Sequence, residues 1–190
     1  PYVTETDTFD RSENWLPLMR GSLMNRYTNL WNNNYYVLYG KNLGAPRDSK
    51  IFECKEKIII RQTSDKIIAT IITEMVDHRF ILGVLNSKLT NFYYQQINPE
   101  KGEVLAEVKK THVEQLPIPK ITSENQQLHD DLVKLVEQML KAKKEEQNAQ
   151  SDHEKNLYKN LTDSLDYKIN NLVYKLYNLT PEEIDLVENS

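Results

Sequence analysis

The chain has 190 residues, 39% of them hydrophobic and 27% charged, and it contains a single cysteine. This composition supports a folded core, excludes a disulfide framework or a zinc site built from several cysteines, and predicts a cytoplasmic protein with no membrane partner. No apolar run reaches the roughly 18 residues of a transmembrane helix, and no signal-peptide pattern opens the sequence. Because the sequence begins at Pro1 without a methionine, we expect it to be a fragment of a longer parent protein.

Charge is unevenly distributed along the chain. The net charge is −4, yet residues 11–120 hold 16 lysines and arginines against 11 acidic residues, whereas residues 121–190 hold 8 against 14. The front part therefore has a net charge of +5 and the tail a net charge of −6. Since a positive surface attracts a polyanion, we expect residues 11–120 to face such a partner.

The first part of the chain is predicted to contain strands and one helix. From residue 79 the apolar residues recur every three or four positions, which predicts an amphipathic helix over residues 79–96 that ends before Pro99. A polar stretch follows, and two prolines within residues 116–119 predict an extended segment, because proline lacks a backbone donor. The predicted strands, rich in β-branched and aromatic residues, are 35–39, 57–61 and 67–73, and Ser64-Asp65 predicts a hairpin between the last two.

The last third of the chain is predicted to be helical. Ser123 and Gln126 form a capping-box pattern at the start of a first long helix, and an apolar stripe over residues 158–179 predicts a second. The polar residues 141–155 between them predict an exposed helix end or a turn. Thr180, followed by a proline and two glutamates, predicts the N-cap of a last short helix. The two long helices are therefore predicted to form an antiparallel pair.

These elements predict an α+β fold, in which a small mixed β-sheet domain with helices is followed by an antiparallel pair of long C-terminal helices. We expect residues 1–15 to form an N-terminal arm, residues 16–120 an α+β domain, and residues 121–190 a helical region that packs on it. The aromatic residues predicted to lie in the core are Trp31, Tyr35, Tyr36, Tyr93 and Tyr94.

No catalytic, metal or cofactor site is recognisable from the residues. The sequence contains no Walker loop, GxGxxG, HExxH or Asn-Pro-Pro-Tyr motif, and its histidines are scattered. Cys54 is interpreted as an inert thiol. Asp48, Glu53 and Lys55 resemble the acidic residues and lysine of a nuclease metal site, although the two acidic residues are close together for that motif. The chain is therefore predicted to be a binding module, with a nuclease built on this triplet as an open alternative.

Five segments, taken in order, resemble one known family. They are 17–27, which contains Arg-Gly-Ser and Arg-Tyr; 52–61; 81–94, which contains Leu-Gly-Val-Leu-Asn-Ser-Lys; 115–119; and 171–184. In this order they resemble the TaqI-like C-terminal specificity domain. That domain follows the catalytic domain of type II adenine-N6 DNA methyltransferases and of type IIG (Eco57I-like) restriction-modification enzymes. The resemblance runs from about residue 16 to 188, but the chain is shorter than the family between Ile72 and Arg79, which predicts a reduced recognition face or a missing loop.

The resemblance implies that the chain recognises a sequence in double-stranded DNA. A methyltransferase domain of the same parent chain would then flip an adenine and methylate it with S-adenosylmethionine, and no cofactor is expected on this fragment. Arginine and glutamine can hydrogen-bond to guanine and adenine edges, and lysine can contact phosphates. The residues predicted to contact DNA are Arg20, Arg26, Lys57, Arg61, Gln62, Lys66, Lys88, Lys109 and Lys110.

A second function class remains open at this point. The acidic helix pair is also compatible with a protein-interaction or dimerisation module of a restriction-modification complex, in which the paired helices act as a docking arm.

Overall fold

A computed structural model of the chain describes residues 3–4, 9, 12–32, 34–45, 47–48, 50–53, 57–71, 76–103 and 106–190. Its elements confirm the predicted α+β fold class. The strands are β1 (Val3–Thr4), β2 (Trp15–Pro17), β3 (Met24–Asn25), β4 (Thr28–Asn29), β5 (Tyr36–Leu38), β6 (Ile58–Ile60) and β7 (Ala69–Ile71). The helices are α1 (Lys50–Glu53), α2 (Val76–Asn86), α3 (Lys88–Ile97), α4 (Lys110–Val113), α5 (Gln126–Asn148), α6 (Asp152–Leu176) and α7 (Pro181–Glu188).

The strands pair in three small antiparallel sheets, ordered β1-β5-β2, β3-β4 and β6-β7. Strands β5, β6 and β7 lie within the three predicted strand segments, and the predicted hairpin is confirmed by the pairing of Ile60 with Ala69 and of Ile58 with Ile71. Where the sequence predicts one small mixed sheet, the described strands divide among three. Strands of two or three residues suit hairpins, which are antiparallel, and are too short to join one continuous sheet.

The predicted helix over residues 79–96 is two helices, α2 and α3, separated at Ser87. The Ser87 side chain accepts a hydrogen bond from Thr90 N–H at 3.2 Å, so it is the N-cap of α3, and its hydroxyl donates to the Val84 carbonyl oxygen at 2.7 Å. The apolar periodicity continues across this break because both helices bury residues in the same core. The single-helix prediction is wrong for this reason.

Two asparagines attach these helices to β7. Asn86 is fully buried, and its side-chain amide makes two hydrogen bonds to Ala69: Oδ1 accepts from the Ala69 N–H at 3.1 Å and Nδ2 donates to the Ala69 carbonyl at 3.0 Å. Asn91 Oδ1 accepts from the Ile67 N–H at 2.8 Å. The helices therefore hold the β6–β7 hairpin through side-chain amides as well as apolar contacts.

The two long helices, α5 and α6, pack against each other as an antiparallel pair joined by residues 149–151. The polar segment 141–155 is mostly exposed helix, as predicted, and Ser151 with Glu154 forms the capping box of α6. The predicted capping box at Ser123 is wrong, because the N-cap of α5 is Asn125. Its side chain instead holds the preceding chain, accepting from Thr122 N–H at 2.8 Å. At Thr180 the predicted N-cap is confirmed, again with a capping box.

One hydrophobic core joins the front part of the chain to the helix pair. It contains Ile67 of the β6–β7 hairpin, Leu82 of α2, Val136 of α5 and Ile169 of α6, all fully buried. Helix α2 approaches α5 closely at Gly83, where an added Cβ would lie 2.8 Å from Val136 Cγ2. The core therefore fixes the orientation of the β6–β7 hairpin relative to the helices.

The aromatic residues divide between this core and the β1-β5-β2 sheet. Tyr94 is fully buried, as predicted, whereas Tyr93 is 38% exposed and its predicted core position is wrong. Trp31, Tyr35 and Tyr36 are half-buried outside the core cluster, and the rings of Trp31 and Tyr36 make an edge contact. Tyr93 is exposed because α3 faces the core on the side of Tyr94.

The segment before α5 is not helical, in keeping with its two prolines. Residues 117–122 are neither helix nor strand. Tyr177, which follows α6, donates a hydrogen bond from its hydroxyl to the Pro117 carbonyl oxygen at 2.5 Å. In the described part of the chain, no helix has both the length and the apolar composition required to cross a membrane.

Candidate nucleic-acid interface

The end of the β6–β7 hairpin lies beside the segment that precedes α4. Val108 N–H donates to the Gln62 carbonyl oxygen at 2.6 Å, and Thr63 pairs with Glu107 in an antiparallel bridge. We call residues 61–66 and 107–110 together the hairpin edge. The predicted DNA-contacting residues that it brings together are Arg61, Gln62, Lys66, Lys109 and Lys110.

Arg61 has an unusual environment at this edge. Its side chain lies across Gly21, with Nε 3.5 Å from the position that a Cβ on Gly21 would occupy. Nε is buried and has no hydrogen-bond partner, and no carboxylate among the described residues pairs with the guanidinium. A buried donor without an acceptor costs about 1–3 kcal/mol. The site therefore holds a positive charge whose hydrogen-bonding capacity is unused by the described chain.

Arg20 directly precedes Gly21 and is exposed on the same turn. Its guanidinium lies over the Tyr35 ring, with Cζ 5.0 Å from the ring centroid. A cation held over an aromatic face keeps its N–H donors at the ring's periphery, where they remain available to another group. The turn at Gly21 therefore links the hairpin edge to the β1-β5-β2 sheet through two arginines.

The lysines of the hairpin edge differ in how they are paired. Lys109 makes an ion pair with Glu100, and this contact is the main cause that holds the pKa of Glu100 below its ordinary value. Lys110 is 86% exposed and lies 3.3 Å from Glu114 in the next turn, a contact that solvent weakens. Lys66 is exposed and has no ion pair within the described chain. Lys66 and Lys110 are therefore the lysines most available to an external anion.

Arg26 and Lys88 line a cleft of about 900 Å³ that Lys66 of the hairpin edge also borders. The Arg26 guanidinium contacts Asp166 Oδ1 of α6 at 2.6 Å and donates to the Asn86 carbonyl oxygen at 2.5 Å. Lys88 makes an ion pair with Glu188 of α7. These two ion pairs therefore join the front part of the chain to α6 and α7.

Two predictions concern residues 48–57: Lys57 as a DNA contact, and a nuclease site built on Asp48, Glu53 and Lys55. The Lys57 ammonium donates to the Ile51 carbonyl oxygen at 3.3 Å. For the nuclease alternative, Asp48 Oδ1 accepts from the Lys50 N–H at 3.0 Å. Cys54 and Lys55 lie outside the described residues, as do residues 72–75, which belong to the segment predicted to be shorter than in the family. Within the described residues, no cluster of three or more histidine, cysteine, aspartate or glutamate side chains is placed to bind a metal ion.

The sequence did not indicate which residues would bind the basic side chains predicted to contact DNA. Asp166 and Glu188 are 140 and 100 positions from their partners Arg26 and Lys88, so no local pattern could have paired them. Gly21 carries one readable signal, because a glycine after Arg20 permits a tight turn or a close approach of another group, and Gly21–Leu23 does form a 3₁₀ turn. The sequence could not show that the approaching group is an arginine of another hairpin.

One known family matches the part of the chain that contains the hairpin edge. Residues 16–118 match the family model of the TaqI-like C-terminal specificity domain. The matched range contains every residue of the hairpin edge and the turn at Gly21, and that family suggests a DNA-recognition domain of methyltransferases. No curated protein matches the chain. Because the match covers more than half of the 190 residues, the chain belongs to the TaqI-like C-terminal specificity domain family.

Proposed function

We propose that the chain is the sequence-specific target-recognition domain of an adenine-N6 DNA methyltransferase or of a type IIG restriction-modification enzyme, and that it is non-catalytic by itself. In this proposal residues 16–120 contact double-stranded DNA and residues 121–190 support them. S-adenosylmethionine, the methyl donor, is assigned to a methyltransferase domain of the same parent chain, because this sequence contains no glycine-rich cofactor loop. We place the protein in the cytoplasm, where bacterial DNA is accessible to it.

The observation that carries the proposal is the unneutralised guanidinium of Arg61. A partly buried positive charge without a carboxylate partner is unfavourable in an isolated chain, and an external acceptor would offset that cost. DNA offers such acceptors on its phosphates and on guanine. Family membership supports the same class of ligand.

The surroundings of Arg61 support binding to a polyanion. Lys66 and Lys110 extend into solvent on the same edge, and Gln62 presents an exposed amide beside them. Lysine ammonium groups contact phosphates as flexible point charges, while amides and guanidinium groups read base edges. The hairpin edge therefore combines groups for both kinds of contact.

The proposal predicts the salt dependence of binding. For the full-length protein, the double substitution Lys66→Ala and Lys110→Ala is expected to reduce the slope of log K against log salt concentration by about 2, because each lost phosphate contact removes about 0.9. Affinity should fall by a similar factor on all duplexes. Fluorescence anisotropy on a duplex selected from a random-sequence pool measures both quantities.

A matched control comes from two exposed lysines on α6, Lys168 and Lys175, which lie outside the matched family range. Their double substitution to alanine removes the same charge and is expected to leave the slope within about 0.5 of the wild-type value. Equal effects of the two double variants would show that only total charge matters. Salt-insensitive binding by the wild-type protein would contradict the proposal as a whole.

A dimerisation or docking role is the second candidate, and one observation favours it. On the first half of α6, Leu157 and Leu161 are 58% and 45% exposed on one face of the helix pair. Exposed leucines one turn apart are typical of a helix that packs on another surface. Sedimentation of the full-length protein separates the two roles, because a monomer at high protein concentration argues against dimerisation.

A further inference from the structure

Gly21 determines where the Arg61 side chain can lie. A Cβ at Gly21 would be 3.5 Å from Arg61 Nε, 3.7 Å from Cγ and 4.0 Å from Cδ, so the arginine stem passes directly over the glycine backbone. An alanine methyl group would make ordinary van der Waals contact there. The additional methyl groups of a valine would have to occupy the volume that the stem now fills.

The backbone of Arg61 is fixed as well. Its N–H donates to the Ile68 carbonyl oxygen at 2.9 Å, and the carbonyl of the following residue, Gln62, accepts from Val108 at 2.6 Å. With the stem against Gly21 and Nε buried, the side chain is confined from Cγ to Nε. The two Nη groups, which make no hydrogen bond with the described residues, then form a rigid fork of donors.

A rigid fork suits a base edge better than a phosphate. Guanine presents two acceptors, O6 and N7, in the spacing that an arginine binds with two parallel hydrogen bonds. Phosphates are contacted as readily by flexible lysines, which the same edge provides at Lys66 and Lys110. Fixing an arginine in one orientation improves binding chiefly where one base must be distinguished from the others.

We infer that Gly21 is the positioning residue for Arg61, and that Arg61 so held selects a guanine in the major groove of the recognised DNA site. The inference rests on the proposed function. It adds the identity of one recognised base, guanine, and of the residue, Gly21, that positions the arginine contacting it.

The test compares variants of the full-length protein on duplexes selected from a random-sequence pool. Arg61→Ala and Arg61→Lys are expected to abolish the preference for guanine at one position, with at least a tenfold loss on the preferred duplex. Gly21→Val should lose the preference at that same position, whereas Gly21→Ala should retain it. The matched control is Gly44→Val, since an added Cβ at Gly44 meets no atom within 4 Å.

Two further readouts distinguish base reading from other roles. Replacing the selected guanine with 7-deazaguanine removes the N7 acceptor, so it should weaken wild-type binding and have no additional effect on Arg61→Ala. Arg61→Lys keeps the charge and should keep the salt slope. Thermal unfolding of each variant shows whether it is folded, and if Gly21→Val is not, the Arg61→Lys and 7-deazaguanine results decide the base assignment.

Three outcomes would overturn one claim each. A uniform loss on all sequences in Arg61→Ala, with the salt slope lowered by about one, would assign Arg61 to a phosphate and overturn the guanine assignment. A folded Gly21→Val variant that keeps the preference lost in Arg61→Ala would overturn the positioning role. Wild-type protein that binds DNA without any sequence preference would contradict the proposed function itself.

Discussion

Replacing Asn86 with leucine is expected to lower the free energy of unfolding by about 3 kcal/mol. Leucine has a similar volume, but it would leave the buried Ala69 N–H without an acceptor, which costs about 1–3 kcal/mol. The Ala69 carbonyl oxygen would keep one donor, because it also accepts from the Tyr27 N–H at 3.0 Å. The lost hydrogen bond from Asn86 Nδ2 to the Ala69 carbonyl oxygen contributes the remainder, at about 1 kcal/mol.

Urea denaturation followed by circular dichroism measures this change. The matched control is Gln96→Leu, which replaces an exposed amide on α3 with the same side chain and is expected to change the free energy of unfolding by less than about 0.5 kcal/mol. If both variants are equally stable, the amide of Asn86 does not hold β7 as described.

Replacing Gly83 with leucine is expected to destabilise the protein by about 2–3 kcal/mol. A Cβ at this position would already lie 2.8 Å from Val136 Cγ2 and 3.1 Å from Leu132 Cδ1, so α2 and α5 would have to move apart. Leucine is the better helix former by roughly 0.8 kcal/mol, which offsets only part of this cost. Chemical denaturation of the variant gives the net effect.

A second substitution tests the cause of this effect. Val136→Ala removes the methyl group that the new side chain would meet, and by itself it leaves a small cavity in the core. In the double variant Gly83→Leu/Val136→Ala, the loss of stability should be smaller than the sum of the two single losses by about 1 kcal/mol or more. A simple sum would show that helix contact at Gly83 is not the cause.

The local features of the fold could be predicted from the sequence because they depend on neighbouring residues. The N-cap at Thr180 follows from a hydroxyl, a proline and two glutamates within four positions. The helix pair α5–α6 follows from two apolar stripes with a polar segment between them. The break at Ser87 could not be found in this way, because the apolar period is the same on both sides of it.

The candidate site was less predictable because its geometry depends on contacts distant in sequence. The pairing of Arg26 with Asp166 joins residues 140 positions apart, and the approach of Arg61 to Gly21 joins two different hairpins. Residue type alone made Arg26 and Arg61 equivalent candidates. Only the structure separates an arginine that pairs with an acid from one that does not.

The motif Leu-Gly-Val-Leu-Asn-Ser-Lys, which contributes to the family resemblance, has a physical explanation for its central residues. Gly83 lets α2 approach α5, Asn86 binds the backbone of β7, and Ser87 caps α3. Lys88 follows, and its backbone N–H donates to Asn170 Oδ1 of α6 at 2.8 Å. The central residues of this motif therefore assemble the helices around the hairpin.

Asn86 and Asn91, which bind backbone groups of Ala69 and Ile67, also affect how this chain behaves beside other copies of itself. In a two-stranded sheet the outer side of each strand presents backbone groups that can pair with a foreign strand and begin aggregation. The Ile67 N–H, two positions before β7, and both backbone groups of Ala69 on β7 are occupied by Asn91, Asn86 and Tyr27. At these positions side-chain amides and one backbone N–H take the place of a third strand, so the backbone groups of Ile67 and Ala69 that are occupied in this way are not available for intermolecular β-pairing.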